Sequence, residues 1–117
     1  MQTSMISNSG LSVTKLCFGA SGLGNMPDTY GYEVDDARAR ETLRAIFDGP
    51  VNFLDTSNIY GFGRSEERNG EALRERGGLP EGFVLSTKLD RDVETGRFDA
   101  ARVRQSIEES LIRLGLD

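Results

Sequence analysis

The chain has 117 residues, enough for one domain that buries roughly two-thirds of its unfolded surface. Its formal net charge is −5, and it contains no histidine and a single cysteine, Cys17. The charges are interspersed rather than blocked, which argues against a nucleic-acid face; one cysteine excludes an intrachain disulfide, and the missing histidines argue against a zinc site. A lone cysteine inside an apolar segment fits a reducing compartment, so a cytoplasmic location is expected. No apolar run approaches the roughly 20 residues of a membrane helix, and the N-terminus lacks a signal-peptide core. Of the fourteen cationic side chains only Lys15 and Lys88 are lysines, which makes Lys88, at the end of an apolar run, less expected as surface filler.

Residues 1–10 are small and polar and read as a loose lead-in. Leu11 to Phe18 reads as a strand, or as a short hairpin followed by a strand, with Cys17 in the core. Gly19-Ala20-Ser21-Gly22-Leu23-Gly24 ends that strand. Gly22-Leu23-Gly24 does not continue as a dinucleotide fingerprint, because Pro27 stands where the third glycine would be. The glycines serve a tight bend, or let backbone approach a ligand. Residues 25–34 form a polar loop whose Tyr30 and Tyr32 either decorate a mobile segment or line a substrate mouth.

Asp35 or Asp36 then caps a helix. Ala39, Leu43, Ile46 and Phe47 make its apolar stripe, and Asp48-Gly49-Pro50 stops it. Val51 to Thr56 is the next strand. After Gly61-Phe62-Gly63, Ser65 is predicted to cap a helix running to about Arg76, with Glu66 and Glu67 in its first turn. Gly70 inside that helix suggests close packing against a neighbour. Phe83 to Leu89 is the following strand, and Asp90 to Phe98 a charged loop. Asp99 caps a last helix whose stripe reads Val103, Ile107, Leu111 and Leu114, with Gly115 closing it.

Strand and helix therefore alternate three times, which predicts parallel strands with right-handed crossovers. Chemistry in such repeats gathers at the carboxyl edge of the sheet. Asp55 and Lys88 fall at that edge, with Tyr60 in the loop just beyond. Singly, each has an ordinary reading: a brace for a turn, a strand-end surface charge, a packing tyrosine. On successive strand ends they read together as a group that handles a proton, because an ammonium beside a phenol favours the phenolate.

The sequence resembles the N-terminal part of the aldo-keto reductase family. The matching pieces are Leu16–Ala20, Asn52–Ser57, Tyr60-Gly61, Ser65-Glu66, Ser86-Thr87-Lys88 and Ser110–Gly115, in the family's order and at its spacing. Phe18–Met26 further resembles the branch acting on aldose sugars and pyridoxal. The resemblance implies an α/β fold: the first three βα repeats of a (β/α)8 TIM barrel, with residues 1–117 the N-terminal part of the barrel domain and ending before its fourth strand. It implies NAD or NADP in the full-length parent and hydride transfer with a small carbonyl, alcohol or sugar substrate. Tyr60 would be the general acid or base, with Asp55 and Lys88 as its tuning partners. Gly19, Ala20, Ser21 and Asp55 would touch the cofactor. The family's fourth catalytic member, a histidine, is missing, as are its principal cofactor loops, so this piece alone is expected to be inactive. The alternative is a non-catalytic remnant acting by association, since the unpaired edge of a three-stranded sheet is open to self-association. Neither nucleic acid nor membrane is an expected partner.

Overall fold

A computed structural model describes residues 1–117. The lead-in is not loose: Thr3–Met5 (β1) pairs antiparallel with Ser12–Thr14 (β2), Ser4 opposite Val13. The turn between them carries left-handed backbone at Ser7 and Gly10. Residues 11–18 are neither one strand nor a hairpin by themselves: Ser12–Thr14 is the second strand of a hairpin whose first strand lies in the lead-in, and a separate strand begins at Phe18. Asn52 anchors the hairpin to the rest of the chain: its amide donates to the carbonyls of Ser12 and Gly82, and its oxygen accepts from Thr14 N at 2.7 Å.

Phe18–Gly19 (β3), Phe53–Asp55 (β4) and Val84–Ser86 (β5) form a parallel sheet in chain order. The strands are shorter than the apolar runs that signal them, but parallel hydrogen bonds continue past them, from Ala20 N to Asp55 O and from Thr56 N to Ser86 O. Between them stand the single turn Pro27–Tyr30 (α1), inside the segment expected to be loop, and the longer helices Asp36–Phe47 (α2) and Arg64–Arg76 (α3); Ala100–Leu114 (α4) follows β5. Asp35 and Asp99 cap α2 and α4, each side chain accepting from the main-chain N–H three residues on, which satisfies a donor the helix itself cannot.

The core lies between the sheet and α2 and α3. It is built of Ala20, Leu43, Ile46, Phe47, Leu54, Ala72, Leu73 and Phe83. All four stripe positions of α2 are buried, and Phe47 meets Phe83 edge to face with ring centroids 5.1 Å apart. Alternation along β4 sends Leu54 into this core and Asp55 to the opposite face, where no helix packs. Two expectations fail here. Cys17 is exposed rather than in the core. The buried face of α4 is also not its apolar stripe: of that stripe only Leu114 is buried, in line with Arg102, Ser106 and Ser110, whereas Val103 and Leu111 are half-buried and Ile107 is 44% exposed. The helix is turned by one residue because its inner side meets a polar loop rather than the sheet core. No helix is long and apolar enough to cross a membrane.

Candidate active site at the carboxyl edge of the sheet

The strand register brings Gly19, Asp55 and Ser86 side by side at the carboxyl edge. Asp55 is half-buried, and its two carboxylate oxygens have separate partners. Oδ1 accepts from Ser86 Oγ at 3.0 Å, and Oδ2 accepts from Lys88 Nζ at 2.5 Å. Lys88 Nζ also donates to the carbonyl of Thr56 at 2.7 Å. The ammonium stands 4.8 Å from the centroid of the Tyr60 ring, within the range of a cation–π contact. Asp55, Tyr60 and Lys88, separated by up to 33 positions in the chain, thus converge on one spot.

Tyr60 opens a tight turn, Tyr60–Gly63, in which Gly61, Phe62 and Gly63 all have positive φ. Gly61 is required there for a second reason. Its backbone lies against that of Gly24, so a Cβ would overlap the Gly24 main chain. The Gly22-Leu23-Gly24 bend therefore seats the tyrosine loop, a role for small residues that needs no ligand. Phe62, left-handed without being glycine and 81% exposed, stands at the edge of an open cavity of about 660 Å³ whose lining includes Met26, Thr29, Tyr60, Arg64 and Glu67. That volume lies in the range of small-molecule pockets.

Gly19 has open space where a side chain would stand. Ala20 is fully buried. Ser21 Oγ shares a hydrogen bond with Tyr30 OH at 2.5 Å, and Tyr30 and Tyr32 lie with ring centroids 6.1 Å apart. Tyr30 is thus tied to the glycine turn by its side chain, with Tyr32 beside it.

Several supporting residues escape a reading by composition and periodicity. Ser65 caps no helix: α3 starts after Gly63 without a side-chain cap. Ser65 is fully buried, its Oγ donating to Ala20 O at 2.8 Å and sharing a bond of 2.9 Å with Thr56 Oγ1. Glu66 is fully buried too, accepting from Thr87 Oγ1 at 2.6 Å and from Arg113 Nη1 at 3.1 Å. The buried face of α4 grips Asn58, two residues before Tyr60. Its amide donates to Ser106 O, Ser110 Oγ and Glu109 Oε2, its oxygen accepts from Arg102, and its carbonyl accepts from Arg113 at 3.0 Å. A four-residue spacing of Arg102, Ser106, Ser110 and Leu114 was the available signal for that face.

The charges follow from these contacts. Partial burial disfavours the Lys88 ammonium, but its interactions with Asp55 and Tyr60 outweigh this and hold it above the usual lysine value. Hydrogen bonding from Arg102 holds Glu109 below the usual carboxylate range against a smaller effect of burial, with Asn58 adding to it. On the Asp90–Phe98 loop, hydrogen bonds from Thr95 and Glu94 N–H keep Asp92 low. Partial desolvation, with the Asp55 carboxylate second, pushes the Cys17 thiol up even though solvent reaches the residue.

Residues 15–117 match the profile of the Aldo/keto reductase family. The chain is similar to the L-galactose dehydrogenase of Arabidopsis thaliana, 40% identical over 112 residues that make up 96% of this chain and 34% of that protein. Its fold matches the holo form of the aldo-keto reductase AKR11C1 from Bacillus halodurans with a TM-score of 0.79 at 28% identity, covering 100% of this chain and 37% of that one. It likewise matches PA4992, a putative aldo-keto reductase of Pseudomonas aeruginosa, with a TM-score of 0.78 at 34% identity, over 98% of this chain and 44% of that one. The chain thus spans between a third and a half of the length of these relatives.

Proposed function

Because the chain belongs to the aldo/keto reductase family and its three βα repeats are part of that family's (β/α)8 barrel, we propose that it is the N-terminal part of an NAD(P)-dependent oxidoreductase acting on a small carbonyl, alcohol or aldose substrate. Tyr60 is the group that gives a proton to the carbonyl oxygen, or takes one from the hydroxyl in the oxidising direction. One observation carries this reading: the Lys88 ammonium, tied to Asp55, stands over the Tyr60 ring at the carboxyl edge of the sheet. A bound nicotinamide supplies hydride to carbon; the protein's task is the proton on oxygen. A cation beside the phenol stabilises the phenolate that remains after donation. Asp55 and the Thr56 carbonyl fix the cation there, so it need not reorganise as charge develops.

The open ground over Gly19 and the neighbouring Asp55 carboxylate fit one ribose of the cofactor, with Ala20 and Ser21 continuing the same turn. Both Asp55 oxygens already accept from Ser86 and Lys88, so a ribose hydroxyl would join a shared network. The cavity beside Tyr60 is lined largely by apolar surface, with Thr29, Arg64 and Glu67 as its polar groups. The similarity to an L-galactose dehydrogenase is what favours an aldose. The test is Tyr60→Phe in the full-length protein, which keeps the ring and removes only the ionisable hydroxyl. Turnover should fall by about 10²–10⁴-fold, the usual worth of a general acid or base, with the fold unchanged by circular dichroism. Retention of more than about a tenth of kcat would remove Tyr60 from the role.

A further inference from the structure

Both Glu66 and Glu67 are first-turn acids of α3, where negative charge suits the helix dipole. Glu67 does this in solvent, as such residues ordinarily do. Glu66 is instead 0% exposed, and burying a carboxylate is costly unless it is paired and hydrogen-bonded. Its bonds go to other elements. Oε1 accepts from the hydroxyl of Thr87, the residue before Lys88, at 2.6 Å. Oε2 accepts from Arg113 Nη1, and the same nitrogen donates to the carbonyl of Asn58, two residues before Tyr60. One buried charge therefore stands at the junction of two arms, one ending at the lysine and the other at the tyrosine. Arg113 keeps its geometry because its guanidinium lies directly against Gly63, where a Cβ would overlap it. The adjacent Ser65 ties the same helix start to the ends of the other two strands through Thr56 and Ala20.

We propose that Glu66 is a positioning residue which, through Thr87 on one side and Arg113 on the other, sets where the Lys88 ammonium stands relative to Tyr60. The proposal rests on the functional reading above for its catalytic consequence, but not for its geometry. Charge-assisted hydrogen bonds are short and directional, and a displacement of about 1 Å in a reacting group can cost about a hundredfold in rate. A carboxylate that merely stabilised α3 would leave Lys88 untouched when removed.

Two variants separate these roles. Glu66→Gln keeps the size and an acceptor for Thr87 but removes the charge facing Arg113. Thr87→Val cuts the lysine arm at an exposed position, with folding checked by circular dichroism because Glu66 Oε1 loses its donor, and Thr87→Ser restores the hydroxyl. The first readout is the titration of Lys88, followed by NMR in protein labelled at lysine and assigned through Lys88→Arg. In Thr87→Val and Glu66→Gln the Lys88 midpoint should move down toward the ordinary lysine value, and in Thr87→Ser it should return. The second readout is turnover in the full-length protein with nicotinamide cofactor and an aldose. There kcat should fall about tenfold to a hundredfold with KM little changed, and Thr87→Ser should recover it. A Lys88 titration identical to wild type in folded Glu66→Gln and Thr87→Val would overturn the proposal. Absence of turnover in the wild type would sink the oxidoreductase reading alone, while the Lys88 titration would still uphold or overturn the role of Glu66.

Discussion

Asn69 Oδ1 is the one buried side-chain polar atom of the molecule without a hydrogen-bond partner. The residue is fully buried, and its amide donates back to Ser65 O, one turn earlier in α3. An orphaned buried acceptor costs about 1–3 kcal/mol, and the Ser65 carbonyl keeps its main-chain partner within the helix. Asn69→Leu, close in volume, should therefore raise the melting temperature, by about 4–8 °C for each kcal/mol gained. A lower melting temperature would mean that the oxygen is satisfied in solution. Lys88 makes a second point at this scale. Its value is raised in the folded chain, so its contribution to stability is complete below the unfolded lysine value of about 10.4 and is lost as pH rises through the folded one. The stability gap between wild type and Lys88→Met should be flat at neutral pH and close above that window, as read from urea midpoints. A gap that widened with pH would contradict the Asp55 pairing.

Helices α3 and α4 meet through small residues and charges more than through apolar stripes. They approach closely at Gly70, where a Cβ would overlap the Arg113 carbonyl. Gly70→Ala should thus destabilise by about 1–3 kcal/mol, the usual cost of overpacking, although alanine is the better helix former. A stabilised variant in thermal melts would show that the two helices can separate freely. On the inner side of α4, Arg102 pairs with Glu109 at 3.0 Å while both hold Asn58. The lowered Glu109 value makes this contribution fully present above the unfolded carboxylate value of 4.5 and lost as pH falls through the folded one. Glu109 is partly exposed, so less than about 1 kcal/mol is at stake. Glu109→Gln should converge on wild-type stability in acid denaturation below that range; a constant difference down to the lowest pH would exclude the ion pair.

At the scale of the molecule, one face of the sheet packs its core residues against α2 and α3. The other face carries the polar edge of Asp55, Ser86 and Lys88, and beside them the open space over Gly19. Those residues suit one ribose, whereas a dinucleotide also has a pyrophosphate and an adenine to hold. We therefore expect the 117-residue chain by itself to bind NAD or NADP with a Kd above about 1 mM, worth less than about 4 kcal/mol. Submillimolar binding by calorimetry would mean that these residues hold more of the cofactor than its ribose.

The sequence alone determined the order of the three βα repeats, a cap at Asp99 and one at Asp35 or Asp36, the buried stripe of α2, and the meeting of Asp55, Tyr60 and Lys88 at one edge. These rest on local interactions, or on strand ends that a parallel sheet must align. Only the tertiary structure decided which polar side chains go inside. Glu66 is buried because Thr87 and Arg113, 21 and 47 positions away in the chain, satisfy it. Ser65 abandons the helix end because Ala20, 45 positions away, and Thr56 take its hydroxyl. The face of α4 likewise turns toward Asn58 rather than along Val103, Ile107 and Leu111, where Arg102, Ser106 and Ser110 satisfy the buried Asn58 amide. A buried polar group is stable only with its partner in place, and periodicity carries no information about a partner so far along the chain.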